Sequence, residues 1–185
     1  MSQLRSAVGM VEFTSIAAGI DASDRMVKAA AIQPIFFKSI CPGKFIAAIA
    51  GDVSAVKTSV EAGRIAHPST VVDWFVISNI HPDVVKGLTG TCDAGDRRAL
   101  GVIETFSAVT VVQAADAAVK AAAVRLVDIR IALALGGKGY VLVTGDVGAC
   151  RSAVEVGAKI AADRGQLVQT VVIASPSDEV FRRLA

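Results

Sequence analysis

Residues 43–63, GKFIAAIAGDVSAVKTSVEAG, return at residues 137–157 as GKGYVLVTGDVGACRSAVEVG. At a constant offset of 94, Gly43-Lys44, Gly51-Asp52-Val53, Ala55, Val60-Glu61 and Gly63 each meet an identical residue. An earlier block, residues 7–32, repeats at residues 99–124 with an offset of 92. Its Ala7, Gly9, Glu12, Ser15, Ala22, Asp24, Val27, Lys28 and the run Ala29-Ala30-Ala31 also have identical partners. Repetition over such spans means that one supersecondary plan is used twice. The change of offset places a two-residue insertion between the blocks, where a loop or strand end tolerates it. A length of 185 residues fits one mid-sized domain or two small ones, and the repeat decides for two. The expected boundaries are residues 1–90 and 99–185, joined by a linker at 91–98 that holds Gly95, Asp93, Asp96, Arg97 and Arg98.

Each half opens with a strand pattern, Val8 to Phe13 and Leu100 to Thr105, that runs through Thr/Ser or Ser into an Ala-rich helical segment. In the first half Ile16, Ile20, Val27 and Ala31 fall at helical spacing. Asp24 before Lys28, and Asp116 before Lys120, are acid-then-base pairs at i,i+4, an arrangement that supports a helix. Two strand-like runs follow in each half, Ile35 to Ile40 with Phe45 to Ala50, and Val127 to Leu135 with Tyr140 to Thr144. They are joined by glycine turns, for which Pro42-Gly43 suits a type II geometry and Gly136-Gly137 something similar. Asp52 and Asp146 stand where an N-cap would begin a second helix, striped by Val53, Val56 and Val60 in the first half. A last strand, Val71 to Ile77 or Val168 to Ala174, precedes a short helical tail. Strand, helix, strand, strand, helix, strand is the split βαβ plan, so the fold class expected is α+β, two tandem ferredoxin-like domains with each sheet covered on one face. The alanines in the helices suit either close approach of neighbours or simple helix propensity.

Hydrophobic residues make up 53% of the chain, which is high for a soluble monomer. Its longest apolar runs, such as Ile131 to Gly137, fall well short of the ~20 residues that span a bilayer. Burial against partner subunits therefore accounts for the composition better than a membrane does. The opening Met1 to Ser6 leads straight into a strand pattern, without a hydrophobic leader core, and the expectation is a cytoplasmic protein. A net charge of +2, with no basic run, offers no nucleic-acid footprint. Three cysteines, Cys41, Cys92 and Cys150, are widely spaced with no CxxC, so neither a disulfide framework nor a zinc site within one chain is indicated.

The segments Gly9-Met10-Val11-Glu12, Asp24 to Ala30, Pro42-Gly43-Lys44 and Gly51-Asp52-Val53 resemble the bacterial microcompartment shell domain. Gly101 to Glu104, Asp116 to Ala122, Gly136-Gly137-Lys138 and Gly145-Asp146-Val147 resemble it again. The resemblance covers nearly the whole chain and implies a tandem-domain member in unpermuted strand order. Such members form a homotrimer with a pseudo-hexameric outline, a tile packed among other shell proteins around encapsulated enzymes. It further implies that the turn after the second strand lines a pore on the symmetry axis. That places Cys41, Pro42, Gly43 and Lys44 there from the first half, and Leu135, Gly136, Gly137 and Lys138 from the second. In members with a segment like Ser39 to Phe45, a pore cysteine from each of three chains binds an iron–sulfur cluster, and Cys41 is the matching position. The implied cofactor is a 4Fe-4S cluster serving electron or cluster transfer across the shell, with an encapsulated redox enzyme as one partner. Lys28 and Lys120 match the lysine at the lateral edge, where adjoining tiles meet.

Apart from the resemblance, a lone cysteine is ordinarily a small apolar residue. Cys41 differs because it adjoins a Pro-Gly turn, which puts its thiol at a hairpin tip. Three copies would supply three thiolates, one short of the four that usually hold a cluster. Cys92 and Cys150 have no such setting and are read as structural. His67 and His81 lack nearby ligands and suit surface or capping roles. Glu12 and Glu104, repeated at one fold position, suit a structural or subunit contact better than a catalytic pair. Gly136 to Gly139 lacks phosphate-loop spacing. No catalytic residue is assigned. Three rival functions remain: a cluster-free pore for a small metabolite, biased toward anions by Lys44 and Lys138; a metabolite-binding regulatory tandem; and an enzyme using Cys41 with His81.

Overall fold

The computed structural model describes residues 7–93, 95, 98–131 and 136–184. The chain divides into two compact units, Met1–Ile80 and His81–Ala185. The first unit is built from β1 (Ala7–Phe13), α1 (Ile16–Ala29), β2 (Gln33–Ile40), β3 (Lys44–Gly51), α2 (Val53–Ala66), a short 3-10 turn at Pro68–Thr70 and β4 (Val71–Ser78). Then follow α3 (Pro82–Thr89), β5 (Ala99–Thr105), α4 (Ala108–Ala121), β6 (Val124–Ile131), β7 (Gly139–Gly145), α5 (Val147–Asp163), β8 (Leu167–Ile173) and α6 (Asp178–Leu184). The sheet orders are β2-β3-β1-β4 and β6-β7-β5-β8. Every pairing is antiparallel. This is the ferredoxin-like α+β plan, used twice. The sixth strand starts three residues earlier than the apolar run suggested, at Val124, and its described part ends at Ile131.

The duplicated serines start the first helix of each half. Ser15 accepts from the Ala18 N–H at 3.3 Å, and Ser107 accepts from Val109 and Thr110 at 3.1 Å each, satisfying donors that a helix start leaves open. Asp52 and Asp146 do occupy the N-cap positions of α2 and α5, but neither side chain caps; Asp146 instead faces Arg98 at 3.2 Å.

The duplicated glycines of the central strands have a packing cause. A Cβ at Gly9 would lie 2.5 Å from Val60 and 2.7 Å from Val56 of α2, and one at Gly101 would lie 2.7 Å from Val154 of α5. The second helix of each half thus presses on the first strand, and only glycine leaves room. Small residues serve α1 in the same way: its buried face is Ala18, Gly19, Ala22, Ser23 and Met26, with Gly19 against the Phe45 ring. Close approach, more than propensity, accounts for these positions. Behind them lies a core of Phe13, Met26, Phe45, Ile49, Val56 and Val60.

Candidate pore turns and assembly edges

The β2–β3 hairpin pairs as far as Ile40 with Lys44, which leaves Cys41, Pro42 and Gly43 as its tip. All three are exposed. The Cys41–Pro42 peptide is cis, and Gly43 takes φ +75°, a left-handed conformation that glycine adopts without a steric penalty. Cys41 is a free thiol, open to solvent. In the second unit β6 and β7 pair as far as Ile131 with Gly139. Gly136 is exposed, Gly137 is buried and Lys138 half-buried, with φ +60° and +88° at the two glycines. Leu135 lies outside the described residues.

The lysines beside these turns are each paired with a glutamate. Lys44 Nζ meets Glu12 Oε1 at 2.7 Å, with Glu12 fully buried on β1. Lys138 meets Glu104 at 3.0 Å in the second unit. Each pair clips the foot of a turn to the neighbouring strand and balances the lysine's charge. Of the structural or subunit contact expected for Glu12 and Glu104, the ion pairs to Lys44 and Lys138 are contacts within one chain. Sequence reasoning singled out glutamates and lysines separately; their shared repetition was the signal that they belong together.

Cys92 and Cys150 have other settings. Cys150 is buried and its thiol points to the Ala99 carbonyl at 3.5 Å; Cys92 is half-buried near the Asp83 carbonyl at 3.8 Å. Burial pushes both thiols above their ordinary pKa, helped by Asp146 beside Cys150 and by Asp83 and Asp128 near Cys92. Both therefore hold less thiolate, the form that binds metal. Among the described residues no three His, Cys, Asp or Glu side chains of one chain gather as a metal site.

His67 and His81 act as caps. His67 ends α2 and its Nε2 meets Asp21 of α1 at 2.8 Å. That hydrogen bond, then the one from Arg25, holds the Asp21 carboxyl below its usual range. His81 is the N-cap of α3, where its Nδ1 accepts from the Asp83 N–H at 3.2 Å. Lys28 and Lys120 lie in the last turns of α1 and α4, each paired with the aspartate one turn earlier, at 2.5 Å and 2.6 Å. A feature the sequence gave no spacing signal for is Arg64 stacked over Trp74, 3.9 Å from the ring centroid, in an open cleft between α2 and β4.

No helix among the described residues is long and apolar enough to cross a membrane. The BMC domain family matches twice, over residues 7–80 and 99–176. The bacterial microcompartment shell protein PduT of Citrobacter freundii is 39% identical over 181 residues, covering 98% of each chain. The shell protein EutM of Salmonella typhimurium is 44% identical over 86 residues, 45% of this chain and 88% of that one. A crystal structure of a microcompartments protein from Desulfitobacterium hafniense DCB superposes with a TM-score of 0.88 at 45% identity, covering 95% of this chain and 98% of that one. Repeat, fold and likeness agree: the chain belongs to the bacterial microcompartment shell protein family and carries two BMC domains in tandem.

Proposed function

We propose that this protein is a structural tile of a bacterial microcompartment shell, a homotrimer of pseudo-hexameric outline packed beside other shell proteins. Cys41 of three chains meets at the central pore and holds a 4Fe-4S cluster, with an encapsulated redox enzyme as its partner in electron or cluster transfer. The carrying observation is the exposed free thiol of Cys41 on a hairpin tip clipped at its base by the buried Glu12–Lys44 pair. A thiol so placed is open to two others related by threefold symmetry, whereas Cys92 and Cys150 are engaged elsewhere. Three thiolates fit three irons of the cluster, leaving the fourth for water, a small ligand or a partner. When bound, such a cluster supplies one-electron redox chemistry. Two like domains per chain and the apolar composition support closure into a ring.

Iron analysis and visible absorption of anaerobically reconstituted protein test this reading. The wild type is expected to hold about one cluster per trimer. Cys41→Ser is expected to remain a folded trimer without iron or visible absorption, since a serine hydroxyl is a far poorer ligand. Cys92→Ser and Cys150→Ser are expected to keep both. Equal iron in Cys41→Ser and wild type, or a wild type without iron, would overturn the cluster and favour a metabolite pore.

A further inference from the structure

The two hairpins of the repeat are anchored differently, and the one that carries the cysteine is held more firmly. Its tip, Cys41-Pro42-Gly43, stands on Ile40 and Lys44, which pair across the strands. Ile40 is buried, and so is Phe45, the residue after Lys44. Neighbours along a strand point to opposite faces of the sheet. Lys44 reaches Glu12 on one face, at 2.7 Å, while Phe45 turns to α1 on the other. There its ring fills a notch that only glycine leaves, since a Cβ at Gly19 would lie 2.4 Å from the ring.

The second hairpin keeps the plan with weaker anchors. The offsets of 92 and 94 equate Gly19 with Val111 and Phe45 with Gly139. Large and small have changed places: the buried side chain is now Val111 on the helix, and a Cβ at Gly139 would lie 2.9 Å from it. No ring ties that foot to α4. Its ion pair, Lys138 with Glu104, is open to water on both partners, whereas Glu12 is fully buried.

Firm anchoring thus goes with the thiol. Three side chains from three chains have to converge on one cluster, and any freedom of the tips has to be given up when it binds, which weakens binding. A foot fixed from both faces of the sheet removes that freedom in advance.

We infer that Lys44 and Phe45 are positioning residues for Cys41, fixing its turn so that three thiols stand ready for one iron–sulfur cluster. This rests on the cluster reading above and names what in the chain holds the ligand in place. Lys44 acts through Glu12 and Phe45 through its seat at Gly19; neither is itself a ligand.

Iron release tests it, on the full chain reconstituted anaerobically and challenged with an excess of a ferrous chelator. Lys44→Met and Phe45→Leu are expected to sediment as the wild type does, with unchanged circular dichroism. Both are expected to release iron about tenfold faster or more, the usual scale for removing a residue that orients a metal ligand. Lys44→Arg, which keeps a cation for Glu12, is expected to restore slow release. Lys138→Met, the same change at the second hairpin, is expected to release iron at the wild-type rate. So is Gly87→Ala, which overpacks α3 in the second unit and controls for lost stability alone. Should Lys44→Met fail to fold, Phe45→Leu decides by itself. Release at the wild-type rate from the folded variants, or equally fast release from Lys138→Met or Gly87→Ala, would overturn the positioning role while leaving the cluster in place. A wild type that binds no iron would overturn the cluster reading, and this inference with it.

Discussion

Lys44 and Lys138 hold one position in the repeat but live in different surroundings. Glu12 is fully buried and Lys44 only 21% exposed, while Glu104 and Lys138 are 32% and 42% exposed. A carboxylate taken out of water depends on its partners far more than one that water still reaches. Lys44→Met is therefore expected to cost about 3 kcal/mol, near the low end for breaking a buried pair. Lys138→Met is expected to cost less than about 1 kcal/mol. Urea unfolding midpoints measure both, and equal losses would show that burial of Glu12 does not set the difference. The likeness of the two lysines was legible in the sequence, but not their difference. Burial depends on what the rest of the chain lays over a residue, and neighbours in sequence do not report it.

Among the elements, α3 depends most on a single residue. An alanine at Gly87 would meet the tips of Leu126 and Ile129, an overpacking cost of about 1–3 kcal/mol. Against this stands a gain of about 1 kcal/mol for replacing glycine inside a helix. Gly87→Ala is thus expected to lose up to about 2 kcal/mol and to speed amide exchange in α3. Gly148→Ala is the control: a Cβ there meets nothing within 4 Å, and a gain of up to about 1 kcal/mol is expected. Exchange in α3 as slow as in the wild type would show that it is not seated where Gly87 places it. In α1, Ile16, Ile20 and Val27 follow the helical period, yet all three are exposed, and Ala31, placed in the same stripe, lies beyond the helix end at Ala29. Periodicity reveals that a helix forms; which face is covered depends on what arrives there.

At the scale of the whole molecule, Lys28 is 73% exposed while Lys120 is 38% exposed, both in helix last turns. If they form the lateral edges of the tile, replacing both with glutamate puts like charges at every edge contact. Lys28→Glu with Lys120→Glu is expected to abolish flat sheets in electron micrographs while sedimentation still shows the trimer. Unchanged sheets would place the edge contact elsewhere.

The sequence by itself determined the duplication, the order of elements in each half, the hairpin-tip position of Cys41 and the repeated Asp–Lys and Glu positions. These are local signals: identity at fixed offset, apolar period, turn residues and caps. Only the tertiary structure decided that Lys44 and Lys138 are clipped to Glu12 and Glu104, that Asp52 and Asp146 start helices without capping them, and that α3 is seated by Gly87 and Asp116. Each joins residues distant in the chain or turns on side-chain direction. Two halves nearly alike in pattern become different surfaces because a repeat fixes what each residue is, while packing fixes what covers it.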